Sequence, residues 1–357
     1  MASKTQASLL ASDLIGRQVL DRVRDSAGNS VVLHEPTLAS YIVNNERLAT
    51  PIYPHDATTI VSLLDLNPSR PGEDEDEGES AQPRFEIFEA GTGMGSLTLH
   101  LARALHAANP PLPPPLRHLL HSAPLAPHYD FSSSRACLAV TPAEQALLDA
   151  YASSRRAVLH TLDRSPKHAR AAYRLVRNFR RAQYLPSVDF HVGAVDAYLA
   201  QRIEQSRGRP FLARAVLDLP SAHDNAARVV EALVPNGLLV VFNPSISQIA
   251  EFQAWMTATD QPLRLEKVIE LDTTTVSEAG MHDSAGGRHW DVKMVVPKAQ
   301  QGDEEAAKPV QVMRPKVGER VAGGGFVAVM RRWPVSTGPL EEESTRETEA
   351  GETSSSE

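Results

Sequence analysis

The run Phe85-Glu-Ile-Phe-Glu-Ala-Gly-Thr-Gly-Met-Gly-Ser-Leu-Thr-Leu99 ends an apolar stretch on an acidic residue and then sets glycines at alternate positions. Gly91, Gly93 and Gly95 remove side chains where a backbone must turn sharply and approach a ligand. From Ser96 to Ala108 the chain reads as a helix whose N-terminal N–H groups face that ligand. The spacing distinguishes between cofactors. A dinucleotide loop, G-x-G-x-x-G/A, wants its third small residue at position 96. Here the third glycine comes one residue early and position 96 is Ser. Strand-E-x-G-x-G-x-G is the S-adenosylmethionine form of the loop.

Two further carboxylates stand where such a ligand would meet them. Asp163 follows the apolar run Ala157–Leu162, a position from which an acidic residue accepts hydrogen bonds from both ribose hydroxyls of a nucleotide. The same Asp would also cap a helix starting near Pro166, and both roles can hold together. Asp218 interrupts the apolar run Val216-Leu-Asp-Leu-Pro220, where a carboxylate is costly without partners. That strand end lies at the carboxyl edge of an open sheet, the ligand-binding edge; a turn acceptor is the alternative. Gln248, closing Asn243-Pro-Ser-Ile-Ser-Gln248, would read a base edge or cap a helix. Arg170, Arg174, Arg177 and Arg181 form one basic stripe at helical spacing, a solvated face or a contact for RNA phosphates.

Positioning these residues requires alternating strands and helices. The periodicity predicts strands at 85–89, 157–162, 188–192, 214–218 and 237–242, with helices at 96–108, 166–181, 196–205 and 223–233. That is an α/β, doubly wound, Rossmann-like domain over 85–334. The pattern stops at Asn109-Pro-Pro-Leu-Pro-Pro-Pro115, and 109–154 reads as an insertion of coil followed by a helical patch at 142–152. Residues 1–66 read as a small β-rich unit with a turn at Asp25–Asn29 and connecting helices at 37–43 and 57–66. An acidic linker at 67–84 and an acidic tail at 335–357 complete the chain.

The 357 residues, 42% of them apolar, are enough for a large core and an accessory unit. The single cysteine, Cys137, excludes a disulfide framework and a cysteine-rich metal site; no metal is expected. No apolar run approaches a membrane span. The net charge of −8 is concentrated in Glu73–Glu79 and in the tail, which leaves the rest at about +4. A nucleic-acid partner is therefore compatible with the folded part. The serine-rich start, with Lys4 its only charge before Asp13, is a weak organelle-targeting pattern, poor in arginine.

Taken together, Glu89-Ala-Gly-Thr-Gly-Met-Gly-Ser-Leu-Thr98, Leu217-Asp-Leu-Pro220 and Asn243-Pro-Ser-Ile-Ser-Gln248 resemble the tRNA (adenine-N1) methyltransferase family that acts on T-loop adenine 58. His34-Glu-Pro-Thr-Leu-Ala-Ser-Tyr41 and Pro51-Ile-Tyr-Pro-His-Asp56 look like that family's lead-in segment, so the resemblance spans about residues 14 to 332. It implies a class I S-adenosylmethionine-dependent methyltransferase fold, S-adenosyl-L-methionine as cofactor and tRNA as partner. Glu89, Gly91, Thr92, Gly93 and Gly95 would line the cofactor, with Ser96 and Leu97 at the helix start and Asp163 on the ribose. Asp218 would be catalytic, and Tyr53, His223 and Gln248 are the substrate-side candidates. The family's adenine-binding Asp falls at Ala194, with Asp196 as the nearby substitute. His223 stands where the family often has Trp, and Gly323-Gly324 where it has His-Thr. Arg288-His-Trp290, Arg314-Pro315 and Gly325-Phe326 look like the mitochondrial, self-associating branch, which implies a homo-tetramer in the mitochondrion. The alternatives are a nuclear hetero-oligomer with a non-catalytic tRNA-binding subunit, a same-fold methyltransferase with another substrate, and a non-catalytic subunit.

Overall fold

The computed structural model describes residues 7–72, 83–126, 138–276, 290–295, 310–315 and 320–334. The acid block at 73–79, Cys137, Arg288 and the tail lie outside them. One sheet holds seven strands: β1 Phe85–Ala90, β2 Ala157–Asp163, β3 Val188–Val192, β4 Leu212–Leu217, β5 Leu233–Asn243, β6 Leu263–Val276 and β7 Arg320–Arg332. Their spatial order is 3-2-1-4-5-7-6. Strands β1 to β5 pair in parallel, and β7 runs antiparallel between β5 and β6. A dinucleotide-binding sheet runs 3-2-1-4-5-6; the antiparallel insertion of β7 before β6 sets this sheet apart.

Besides a one-turn helix at Ala11–Leu14, the α-helices among the described residues are α1 Leu38–Val43, α2 Pro54–Leu63, α3 Ser96–Leu105, α4 Pro114–Ser122, α5 Pro142–Ser154, α6 Pro166–Asn178, α7 Val195–Gln205, α8 Ala226–Ala232 and α9 Ile246–Ala258. Because successive strand residues point to opposite faces, Ile87, Val216 and Val240 join a core with Ile60, Leu99 and Val176 of α2, α3 and α6. Their neighbours Phe88, Leu217 and Val241 join a second core with Leu199, Val229 and Phe252 of α7, α8 and α9. Central strands covered on both faces are mostly apolar, which is why their sequences read as hydrophobic runs with only isolated polar residues such as Glu89 and His160.

The N-terminal unit contains one hairpin, Arg22–Arg24 with Ser30–Val32. Its turn is the predicted one: Asp25 Oδ1 accepts from the N–H groups of Ala27 and Asn29 at 2.9 and 2.8 Å. Leu38, Ile42, Ile52 and Leu64 share the first core with the sheet, so α1 and α2 are built into the main domain.

Two expectations change. The coil expected after the proline run is helical at α4, because proline is tolerated in a first helical turn and Leu116, Leu119 and Leu120 form a buried face. The arginine stripe is broken up. Helix α6 ends at Asn178, Arg181 lies beyond it at φ 55°, and Arg177 donates to the carbonyls of Leu120 and His121, both at 2.9 Å, and of Ala123. Arg177 thus ties the insertion to the sheet domain. Arg170 and Arg174 stay exposed and line a groove with Lys167 beside Met94.

Candidate active site

Strand order reverses between β1 and β4, so the loops leaving their carboxyl ends diverge around a crevice. The glycine loop leaves β1 there, and its glycines answer different demands. A Cβ on Gly91 (φ +98°) would stand 2.1 Å from the Asp218 carbonyl oxygen, so the two strand ends touch backbone to backbone. A Cβ on Gly95 (φ +92°) would stand 2.8 Å from Ala172 of α6, so this glycine serves helix packing. Gly93 (φ +52°) has nothing within 4 Å of its Cβ position, and it borders open space.

Asp163 ties this loop to β2. Its Oδ2 accepts from the Gly93 N–H at 3.0 Å and faces His168 Nδ1 at 3.3 Å, while Oδ1 accepts from the Ser165 N–H at 2.8 Å. The cap of α6 is Ser165, whose side chain accepts from the His168 N–H. Two carboxylate oxygens offer about four acceptor sites, so Asp163 keeps capacity for a ligand. Thr92 faces the sheet and exchanges a 2.7 Å hydrogen bond with Thr161. Ser96 donates to the Ile52 carbonyl, anchoring the segment before α2, and Leu97 is buried. Glu89 is buried beneath the loop; its Oε2 accepts from Thr98 at 2.7 Å and its Oε1 has no partner. Burial, reinforced by the Asp218 and Asp163 carboxylates, pushes its carboxyl up to about 8.

On the other side of the switch, a cleft of about 440 Å³ is lined by Tyr53, Asp56, Asp218, Phe242, Asn243 and Gln248, among others. Burial, helped by the Asp163 carboxylate, pushes the Asp218 carboxyl up to about 7, and no hydrogen bond opposes it. Asp56, in the first turn of α2, is 1% exposed. Its burial, against a donated Gly324 N–H, raises it to about 6. The structure therefore brings Tyr53, Asp218 and Gln248 to one cleft. Ser245 caps α9, which leaves the Gln248 side chain out of that task. His223 sits in a one-turn 3₁₀ segment, 3.4 Å from Asp224, and does not line the cleft. Asp196 is exposed at the start of α7, beyond β3. Asp56 and Asn243 were not singled out from sequence; the Pro51–Asp56 and Asn243–Gln248 segments contained them.

The residues on the glycine side fit a cationic nucleoside: a buried unpartnered carboxylate oxygen, a second carboxylate, Asp163, against the loop and an uncovered backbone bend at Gly93. Among the described residues, no group of three or more His, Cys, Asp or Glu has metal-holding geometry, and no helix is long and apolar enough to cross a membrane.

No family model matches the chain. Over 316 residues it is 26% identical to the tRNA (adenine(58)-N(1))-methyltransferase TrmI of Thermus thermophilus, covering 88% of this chain and 82% of that protein. Among solved structures it is similar to tRNA (m1A58) methyltransferase TrmI from Aquifex aeolicus, at TM-score 0.48 and 14% identity over 92% of this chain and 90% of that one. A SAM-dependent O-methyltransferase from Thermotoga maritima gives TM-score 0.49 and 15% identity over 91% and 82%. The chain's own sheet, ordered 3-2-1-4-5-7-6 with β7 antiparallel, is a Rossmann-like α/β arrangement. The glycine loop and Asp163 lie together at the switch point of the sheet.

Proposed function

We propose that the chain methylates N1 of adenine 58 in the T-loop of tRNA. The observation that carries this reading is Asp218. It is a carboxylate raised to about 7, across the crevice from the glycine bend and inside a cleft with aromatic and amide side chains. The Thermus relative's activity supports the choice of base and position.

Bound S-adenosylmethionine would supply an electrophilic methyl group with a neutral thioether as its leaving group. Adenine N1 attacks with its lone pair, and the ring takes on positive charge that spreads to the exocyclic N6. Asp218, as a carboxylate, accepts a hydrogen bond from N6–H and is most favourable when that charge has developed. Glu89 and Asp163 hold the donor side, and Gly91 keeps the two strand ends in contact. The base must leave the folded tRNA to reach this cleft, where Tyr53 and Phe242 offer ring faces for stacking. His223, in the segment after the strand end that carries Asp218, is our candidate for contact with nucleotides next to the target, and Asp196 our candidate for the adenine end of the cofactor.

We further place the protein in the mitochondrion as a homo-oligomer, on its likeness to that branch of the family. Sedimentation of the purified chain and subcellular fractionation test these two points. A non-catalytic role is opposed by the retained glycine bend and Asp218. The deciding experiment incubates the protein with labelled methyl donor and total tRNA and maps the label. Label at N1 of adenine 58 supports the reading, and label elsewhere or none overturns it.

A further inference from the structure

The Asp218 cleft concentrates polar atoms that the protein leaves unsatisfied. Among the described residues, six buried side-chain atoms lack a hydrogen-bond partner, and Asp56 Oδ1, Asn243 Nδ2 and Gln248 Oε1 belong to residues lining this one cleft. A buried polar atom left without a hydrogen-bond partner is costly, so three in one place mark where a ligand completes them. Asn243 ends β5 at 1% exposure, opposite Phe326 of β7. Gly325 lies so close that a Cβ there would stand 3.0 Å from the Asn243 carbonyl oxygen and 3.1 Å from the Phe242 ring. The neighbouring strand therefore fixes both residues. Gln248 is held in the first turn of α9, its N–H donating to the Ser245 carbonyl at 3.2 Å.

We propose that Asn243 and Gln248 read the N6/N7 edge of the target base. Asn243 Nδ2 donates to N7, Gln248 Oε1 accepts one N6 hydrogen, and Asp218 takes the other on the N1 side. A side-chain amide reads adenine in nucleic acids with this donor and acceptor pair; here the pair is divided between two residues. Asp56 adds a further acceptor. Guanine would set its O6 acceptor against Gln248, Asp218 and Asp56, leaving buried groups unpaired, the arrangement that gives strong discrimination. The inference rests on the adenine reading above and adds how that base is selected.

The test uses full-length protein and ligated tRNAs carrying adenosine or 7-deazaadenosine at the target position, in single-turnover assays. The deaza base keeps N1 and N6 and removes only the N7 acceptor. Wild type should methylate it about tenfold more slowly. Asn243→Leu should lose about the same factor on adenosine and become indifferent to the deaza substitution, with cofactor affinity unchanged. Gln248→Leu should slow both substrates equally. Equal wild-type rates on the two tRNAs overturn the proposal with no variant needed, as does a full deaza penalty in Asn243→Leu. A wild type that methylates no tRNA adenine overturns the functional reading itself, and this inference with it.

Discussion

The two sides of the switch point are built on opposite terms. On the glycine side the protein bonds to itself: Asp163 holds Gly93 and Ser165, Thr92 holds Thr161, and Ser96 holds Ile52. On the Asp218 side the polar groups of Asp56, Asn243 and Gln248 keep unpartnered atoms, and the two carboxyls stay above their ordinary range. On the proposed function, a cofactor of fixed shape would meet a preformed cradle, whose cost is settled in folding. A base extruded from RNA would meet groups left unpaired, and their satisfaction would be available to the reaction.

The contrast predicts the largest effect at Asp218. Asp218→Ala should slow methyl transfer by about 10²- to 10³-fold, the scale for removing an acceptor aimed at transition-state charge. Cofactor affinity should stay within a few-fold. In wild type the single-turnover rate should rise with pH through about 7, because the carboxylate is the active form and burial holds its proton that high. Single-turnover profiles between pH 5.5 and 8.5, paired with calorimetric binding, read both. A variant that melts early and methylates normally would make Asp218 a turn residue.

Within the glycine loop itself, neighbouring glycines should fail in different ways. Gly93→Val meets open space, so the fold should persist while cofactor affinity drops at least about tenfold. Gly95→Ala meets Ala172 at 2.8 Å, so it should lower stability by about 1 to 3 kcal/mol through overpacking. Thermal melts with and without cofactor separate them. If both variants lose only stability, the loop does not face the ligand.

Asp163→Ala should weaken cofactor binding by about 1.5 to 3 kcal/mol, the scale for losing a charged acceptor. It should also cost stability, because the Gly93 and Ser165 N–H groups lose their acceptor. Asp163→Asn keeps an acceptor oxygen and should retain more of the stability than of the affinity. Equal losses of both in the two variants would reduce Asp163 to a loop tie.

Much of this was legible locally. Strand β2 and the later parts of β1, β4 and β5 are buried on both faces and announce themselves as apolar runs, and the glycine spacing sits within one loop. Strands β6 and β7 were not read, because the first mixes charges and threonines through Leu263–Val276 and the second carries Gly323-Gly324-Gly325. Both belong to the sheet through pairing with distant partners. Helix α4 hid behind prolines that its first turn tolerates. Asp56 and Asn243 look ordinary in their segments. Their character comes from burial and from missing partners, which only the assembled chain creates.

Glu89 is the exception on its own side, and it supplies the smallest predicted effect. It is the glycine-side carboxyl with an unpartnered buried oxygen, raised to about 8 by burial first and then by the Asp218 and Asp163 carboxylates. A carboxyl whose folded value lies above its unfolded value binds its proton more tightly in the folded chain. Its contribution is fully present below the ordinary carboxylate range and is lost as pH rises through about 8. Glu89→Gln cannot ionise, so its melting temperature should gain on that of wild type as pH goes from 5 to 9, by about a few degrees. The same substitution should weaken cofactor binding most at high pH, where wild type offers a carboxylate to a cationic ligand. A melting difference that stays flat across this range would mean that Glu89 is ionised throughout and that a protein partner already satisfies it. The contrast between the two sides of the switch would then be complete.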